Sequence, residues 1–255
     1  MKKLRIWVFY ISILAYGLPI LAQEKIQESG SKNELLKDSI NSSSKAPLSL
    51  RFGLDLYRIG LTQFSNDYSG LELVGDFKIS KEFYLAVEIG REEATKQSEQ
   101  VNFTTDGSYY KLGFDYNMYE NLAGLDNQVH LGLRFATSNY RHILNKYTLL
   151  DRTPFWPNSA NEVTNGFATG KRDNLNAQWL EFVAGFKVQL LKNIYLGLSI
   201  RLNRLINDTV PENFDNIYIP GFNQKTDENK FGAGFNYSLT YKIPISFKKN
   251  ELFFF

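Results

Sequence analysis

Twelve charged residues stand at one parity of a set of alternating segments. They are Arg51, Lys78, Lys111, Arg134, Lys187 and Arg201 against Asp55, Glu72, Asp76, Glu88, Asp115 and Glu181. Six cations and six anions gathered on one enclosed face can neutralise each other, whereas an unpaired buried charge costs several kcal/mol, on the order of 3–5 when a partner is removed. Mutual ion pairing is therefore the chemistry expected of them. The carboxylates of Glu72 and Asp76 are close enough in sequence to suggest acid–base work, but no set of nucleophile, base and orienting group accompanies them. No catalytic residue is assigned. The chain has no cysteine, which excludes disulfides and thiolate chemistry, and only two histidines, His130 and His142, at unrelated positions. No metal site and no cofactor are expected.

The elements that carry these charges are strands. In the segment from Leu48 to Tyr57, the apolar residues Leu48, Leu50, Phe52, Leu54 and Leu56 alternate with Ser49, Arg51, Gly53, Asp55 and Tyr57. Side chains of a strand point to opposite faces with period two, so one face is apolar and the other charged. The pattern recurs at 71–79, 83–90, 108–118, 129–137, 179–190, 194–202 and 230–243, giving eight strands. Short connections at 80–82, 191–193 and 121–127 alternate with long ones at 59–67, 91–107, 140–176 and 206–229. Turns on one rim and long loops on the other describe an eight-stranded antiparallel up-and-down barrel with both ends on the short-turn side.

Two opposite barrels fit such alternation: one with its apolar face outward, in a membrane, and a soluble ligand-binding one with its apolar face inward. Glycine decides between them. Gly53, Gly90, Gly113, Gly132, Gly185, Gly197, Gly232 and Gly234 share the charged face, against Gly75 on the apolar one, and glycine belongs where a narrow lumen crowds. Aromatic residues of the apolar face gather towards both rims: Tyr110, Phe135 and Phe231 at one, Phe77, Phe83, Tyr116 and Tyr241 at the other. These are two interfacial girdles. The expectation is a transmembrane barrel with a charge-filled lumen, and the soluble periplasmic barrel is the weaker alternative.

Residues 1–22 read as a cleaved export signal: Lys2, Lys3 and Arg5 precede an apolar run that ends at Leu21-Ala22. Residues 23–47 read as a flexible periplasmic segment, 48–243 as the barrel and 244–255 as a tail ending in Phe253-Phe254-Phe255. Such a chain resides in the outer membrane with periplasmic termini. Its expected partners are outer-membrane lipids and, during biogenesis, the barrel assembly machinery. The net charge of +2 and the lack of a basic block exclude a nucleic-acid partner. The mean hydropathy of −0.31 agrees with strands that are half polar.

Two loops carry aromatic groups that suit either an extracellular ligand or closure over the barrel mouth: Phe155 and Trp156 in the longest, and Tyr218 and Phe222 in the last. Ser138, four residues before His142, raises lipid hydrolysis or acyl transfer as an alternative activity. Ser39 and Thr209 sit in Asp-Ser/Thr-apolar triplets that resemble periplasmic O-glycosylation acceptors.

At Asp115-Tyr116-Asn117-Met118, Gln178-Trp179-Leu180-Glu181-Phe182 and Tyr218-Ile219-Pro220-Gly221-Phe222 the chain resembles a family of uncharacterised outer-membrane β-barrel proteins of Bacteroidetes. The resemblance implies a barrel and no particular activity. The Lys-rich, triple-Phe tail departs from it.

Overall fold

The computed structural model describes residues 48–97, 101–121, 125–150, 160–163, 169–210, 216–225 and 230–245. The expected signal, the linker with Ser39, the tail beyond Ile245 and the pair Phe155 and Trp156 lie outside the described residues.

The barrel consists of β1 (Leu48–Asp55), β2 (Tyr68–Lys78), β3 (Phe83–Gln97), β4 (Val101–Asn117), β5 (Gln128–Leu150), β7 (Gly170–Leu191), β8 (Ile194–Asp208) and β11 (Phe231–Ile245). Each pairs antiparallel with the next in sequence, and β1 closes the ring on β11 from Leu48–Ile245 to Asp55–Ser238. The short β6 (Ala160–Val163) adds to the far end of β5. With an even strand count, β1 begins and β11 ends on the same rim. That rim carries tight turns: Ile79 and Ser80 amides donate to the Phe83 carbonyl at 2.9 and 3.1 Å, and Asn193 turns the chain with φ 64°. β11 runs through Pro244 to Ile245, past the expected barrel end at 243; a proline at a strand's last residues removes little from the ladder.

The faces are arranged as the glycines require. Phe52 and Leu73 are each 51% exposed while Arg51 and Glu72, their neighbours in sequence, are fully buried. Left in water, each outward aliphatic or aromatic side chain would forgo about 1.5–3 kcal/mol of burial. A belt of them would exceed the ~5–15 kcal/mol that holds a domain together. The apolar exterior thus calls for hydrocarbon around it and overturns the soluble alternative, whose apolar face would point inward.

At the wide rim several strands outrun their expected ends, β8 as far as Asp208. β3 and β4 continue to Gln97 and from Val101, and β5 and β7 cover much of the segment expected as the loop 140–176. Here the outward face meets water, so the apolar alternation stops while the backbone ladder goes on, and the inward face packs Ala94, Phe103 and Leu144 with Tyr218; Thr95 and Thr104, 2.9 Å apart across β3 and β4, mark the change.

Two further corrections concern the wide rim. Residues 59–67, expected as a loop, lie mostly in the helix α1 (Leu56–Phe64), which begins because the Asp55 carboxylate accepts the Tyr57 amide at 2.8 Å. The described residues 216–225 of the last connection turn inward. Its strands β9 (Tyr218–Ile219) and β10 (Asn223–Gln224) form a small hairpin inside the barrel mouth. Gly221 turns it with φ +82°, a conformation that favours glycine. A Cβ there would overlap the ring of Tyr109, as would one on Gly90 from the other side.

Candidate functional site

The inward parity of the strands brings the charged side chains into one column. At its floor Asp126, in the turn between β4 and β5, accepts Lys78 and Lys242 Nζ, each at 2.6 Å, and the Tyr84 hydroxyl at 3.0 Å. Burial raises this carboxyl, but the two ammonium groups outweigh it and hold it below the usual carboxylate range. Above it Arg51 donates to Asp76 at 2.6 Å, its guanidinium 4.8 Å from the ring centre of Tyr84. Lys187 donates to the other Asp76 oxygen at 2.7 Å and stands 3.8 Å from Asp115.

The middle of the column is a ring of shared ions. Arg134 donates to Asp115 at 2.6 Å; Arg201 bridges Glu88 at 2.6 Å and Glu181 at 2.9 Å; Lys111 lies 3.1 Å from Glu181 and 3.6 Å from Glu88. Sharing each ion between two or more partners repays part of the desolvation that burial costs. A cavity of about 30 Å³, room for one or two waters, remains beside Asp76, His130 and Lys187. His130 Nε2 is 4.0 Å from Asp115.

Towards the mouth, Glu72 accepts the Tyr109 hydroxyl at 2.5 Å and the Asn236 amide at 3.0 Å. Arg58 reaches in from α1 to Glu72 at 3.3 Å and Glu92 at 2.7 Å, with Asp55 3.6 Å away. Glu92 also accepts the Tyr218 hydroxyl and the Gly221 amide, the latter at 3.0 Å, which ties the inner hairpin to the column. An apolar cluster of Tyr109, Trp179, Leu205, Ile219 and Phe222 packs beside it.

All twelve sequence-predicted lumen charges point inward. Asp55 has a second task, capping α1. Four charges were missed: Arg58, Glu92, Asp126 and Lys242. Glu92 and Lys242 continue the inward parity, whereas Arg58 on a helix and Asp126 in a turn have no period to betray them. Tyr218 and Phe222, for which the sequence leaves an extracellular ligand and closure of the mouth open, are 6% and 0% exposed, which overturns the first. This is a correction with a clear cause: Glu92 and Asn203, whose amide donates to the Phe222 carbonyl at 3.0 Å, hold the hairpin inside.

Ser138 and His142 are also placed differently from the expectation. They lie in a strand, not a loop, and four extended residues span about 13 Å. Ser138 Oγ donates to the Ser108 carbonyl at 3.3 Å. His142, above the apolar belt, contacts Thr105 Oγ1 at 2.5 Å through Nδ1 and Asn216 Oδ1 at 3.1 Å through Nε2. Burial pushes its imidazole down to about 4 despite the bond to Asn216, and Arg172 adds to the effect. Neutral, with Nε2 donating and Nδ1 accepting, it fastens the segment at Asn216 to the wall. Thr209 is exposed just past β8, its amide donating to the Asn176 carbonyl at 2.8 Å. Among the described residues no three His, Cys, Asp or Glu side chains are grouped to hold a metal ion.

The solved structures similar to the chain include those of two proteins. The crystal structure of Neisserial surface protein A is 10% identical, with 78% of this chain and 95% of that one covered and a TM-score of 0.37. Ail, the attachment invasion locus protein of Yersinia pestis, is 8% identical, with 77% and 97% covered and a TM-score of 0.36. No curated protein matches the sequence. A family model, described as a domain of unknown function (DUF6048), matches residues 6–249, and the chain belongs to that family.

Proposed function

We propose that this protein is a non-enzymatic resident of the outer membrane, of the kind found in Bacteroidetes, whose barrel is a closed platform. The export signal is cleaved after residue 22, residues 23–47 and the C-terminus lie in the periplasm, and the extended strands β3, β4, β5 and β7 stand outside the cell. Lipids of the outer membrane surround it, the barrel assembly machinery inserts it, and an extracellular ligand meets it through Phe155 and Trp156. Ion pairs plug the lumen. The observation that carries this reading is the shared ring of Arg134, Arg201 and Lys111 with Asp115, Glu88 and Glu181, which fills the section an eight-stranded barrel leaves for side chains.

The test combines fractionation with planar-bilayer recording. The protein is expected in the outer-membrane fraction, with slower or faster gel mobility before boiling than after, and without steady single-channel conductance. Recovery in the soluble fraction without detergent would remove the membrane assignment, and a stable open channel would remove the plug.

A further inference from the structure

On one side of the barrel the wall is not a sheet. β1 pairs with β2 only from Leu50–Phe77 to Leu54–Leu73, and its last partner in β11 is Ser238. Among the described residues, the stretch from Tyr68 to Glu72 in β2 and from Phe231 to Tyr237 in β11 therefore has no strand across this gap. α1 stands there instead. The Gly70 amide on the open edge of β2 donates to Thr62 Oγ1 at 2.9 Å, and the Tyr57 ring lies 4.1 Å from that of Phe235 on β11. Because Leu71, Phe231 and Phe235 are outward and exposed, the breach falls within the apolar belt, near its wide-rim edge. Open strand edges cannot be left to hydrocarbon, and a helix is the one element that covers them without needing partners of its own.

A cavity of about 300 Å³ passes through this breach. Its inner end is polar, formed by Arg58, Glu92, Lys96 and Tyr218; its outer end is Leu61, Ala233 and Phe235. One end polar inside the mouth and the other apolar at the lipid boundary is the polarity of an amphiphile. Charge narrows the choice. Arg58 is committed to Glu92 and Glu72, whereas Lys96 makes no ion pair among the described residues and rests 4.8 Å from the centre of the Tyr218 ring. Among the described residues this exposed ammonium stands outside any ion pair at the polar end, which favours an anionic headgroup.

We propose that the breach between β2 and β11 binds one anionic lipid from the surrounding leaflet. Its phosphate or carboxylate meets Lys96, and one hydrocarbon chain leaves between α1 and β11 over Leu61, Ala233 and Phe235. The proposal rests on the membrane reading above. To test it, the full chain is reconstituted in phosphatidylcholine vesicles holding a minor share of phosphatidylglycerol, extracted gently and weighed by native mass spectrometry. One phosphatidylglycerol is expected to remain bound in excess of its share. Lys96→Glu should lower that retention about tenfold, the scale of one lost charge-assisted contact. Ala233→Trp, which fills the outer end, should lower it as well, and Lys192→Glu at the opposite rim should not. Equal retention of the two lipids, or no change in either variant, would overturn the proposal; so would displacement of the lipid by inorganic phosphate, which would mark a site for soluble anions. The heat-dependent gel shift of each sample separates these outcomes from misfolding, with Leu61→Trp replacing Ala233→Trp if the latter lacks the shift. A wild-type protein without the shift would defeat the membrane reading itself.

Discussion

Arg201 sits where three carboxylates converge: it bonds Glu88 and Glu181 and lies 3.9 Å from Glu72. Replacing it with Met keeps much of the volume but leaves buried carboxylates short of a cation, a change that typically costs about 3–5 kcal/mol. The denaturant midpoint of the folded barrel in Arg201→Met should fall accordingly, and the triple variant R201M/E88Q/E181Q should regain most of the loss. A midpoint unchanged in the single variant would mean that these ions are solvated instead of paired. The members of this network were legible because inward and outward residues differ by one position in sequence. That rule ran out at Glu92, where the outward neighbours Arg91 and Glu93 are themselves charged, so the contrast between faces vanished. It never applied to Arg58 and Asp126, which reach the lumen from a helix and a turn.

Elements were less legible than residues, for the same physical reason. Below the wide rim, hydrocarbon outside and charge inside impose a contrast that the sequence must display; above it, water outside removes that contrast, and β5 runs on to Leu150 while its inward Leu144 packs with Phe103 and Tyr218. The inner hairpin was hidden differently. Its aromatic residues fit a recognition surface and a cover for the mouth equally well by sequence; Tyr218 and Phe222 close the mouth against Glu92 and Trp179, the Trp179 and Phe222 rings meeting edge-on at 5.7 Å. Gly221 is the joint on which this closure depends. Gly221→Val combines an unfavourable positive φ with a clash against Tyr109. It should release the hairpin while leaving the eight strands paired, seen as fast amide exchange and proteolysis at residues 216–225 with the barrel's heat shift intact. Unaltered protection of that segment would show that the hairpin is held by something other than this turn. α1 belongs to the same scale: its N-cap at Asp55 is a residue read from sequence as a lumen charge, and one carboxylate does both jobs because the strand ends there.

For the whole molecule, one arrangement follows from these parts: an apolar belt outside, a column of shared ions inside, and a helix set into the wall where β1 falls short. The orientation of the two faces is the claim on which all else depends, and the absence of native cysteine makes it directly accessible. A single cysteine at Leu131, outward in the belt, or at Thr148, on β5 far above it, can carry a nitroxide in protein refolded into lipid vesicles. The label at Leu131 should be relaxed strongly by oxygen, which concentrates in hydrocarbon, and weakly by a water-soluble nickel chelate; at Thr148 the order should reverse. Strong relaxation by the chelate at Leu131 would contradict the account, because the apolar face would then be turned to water.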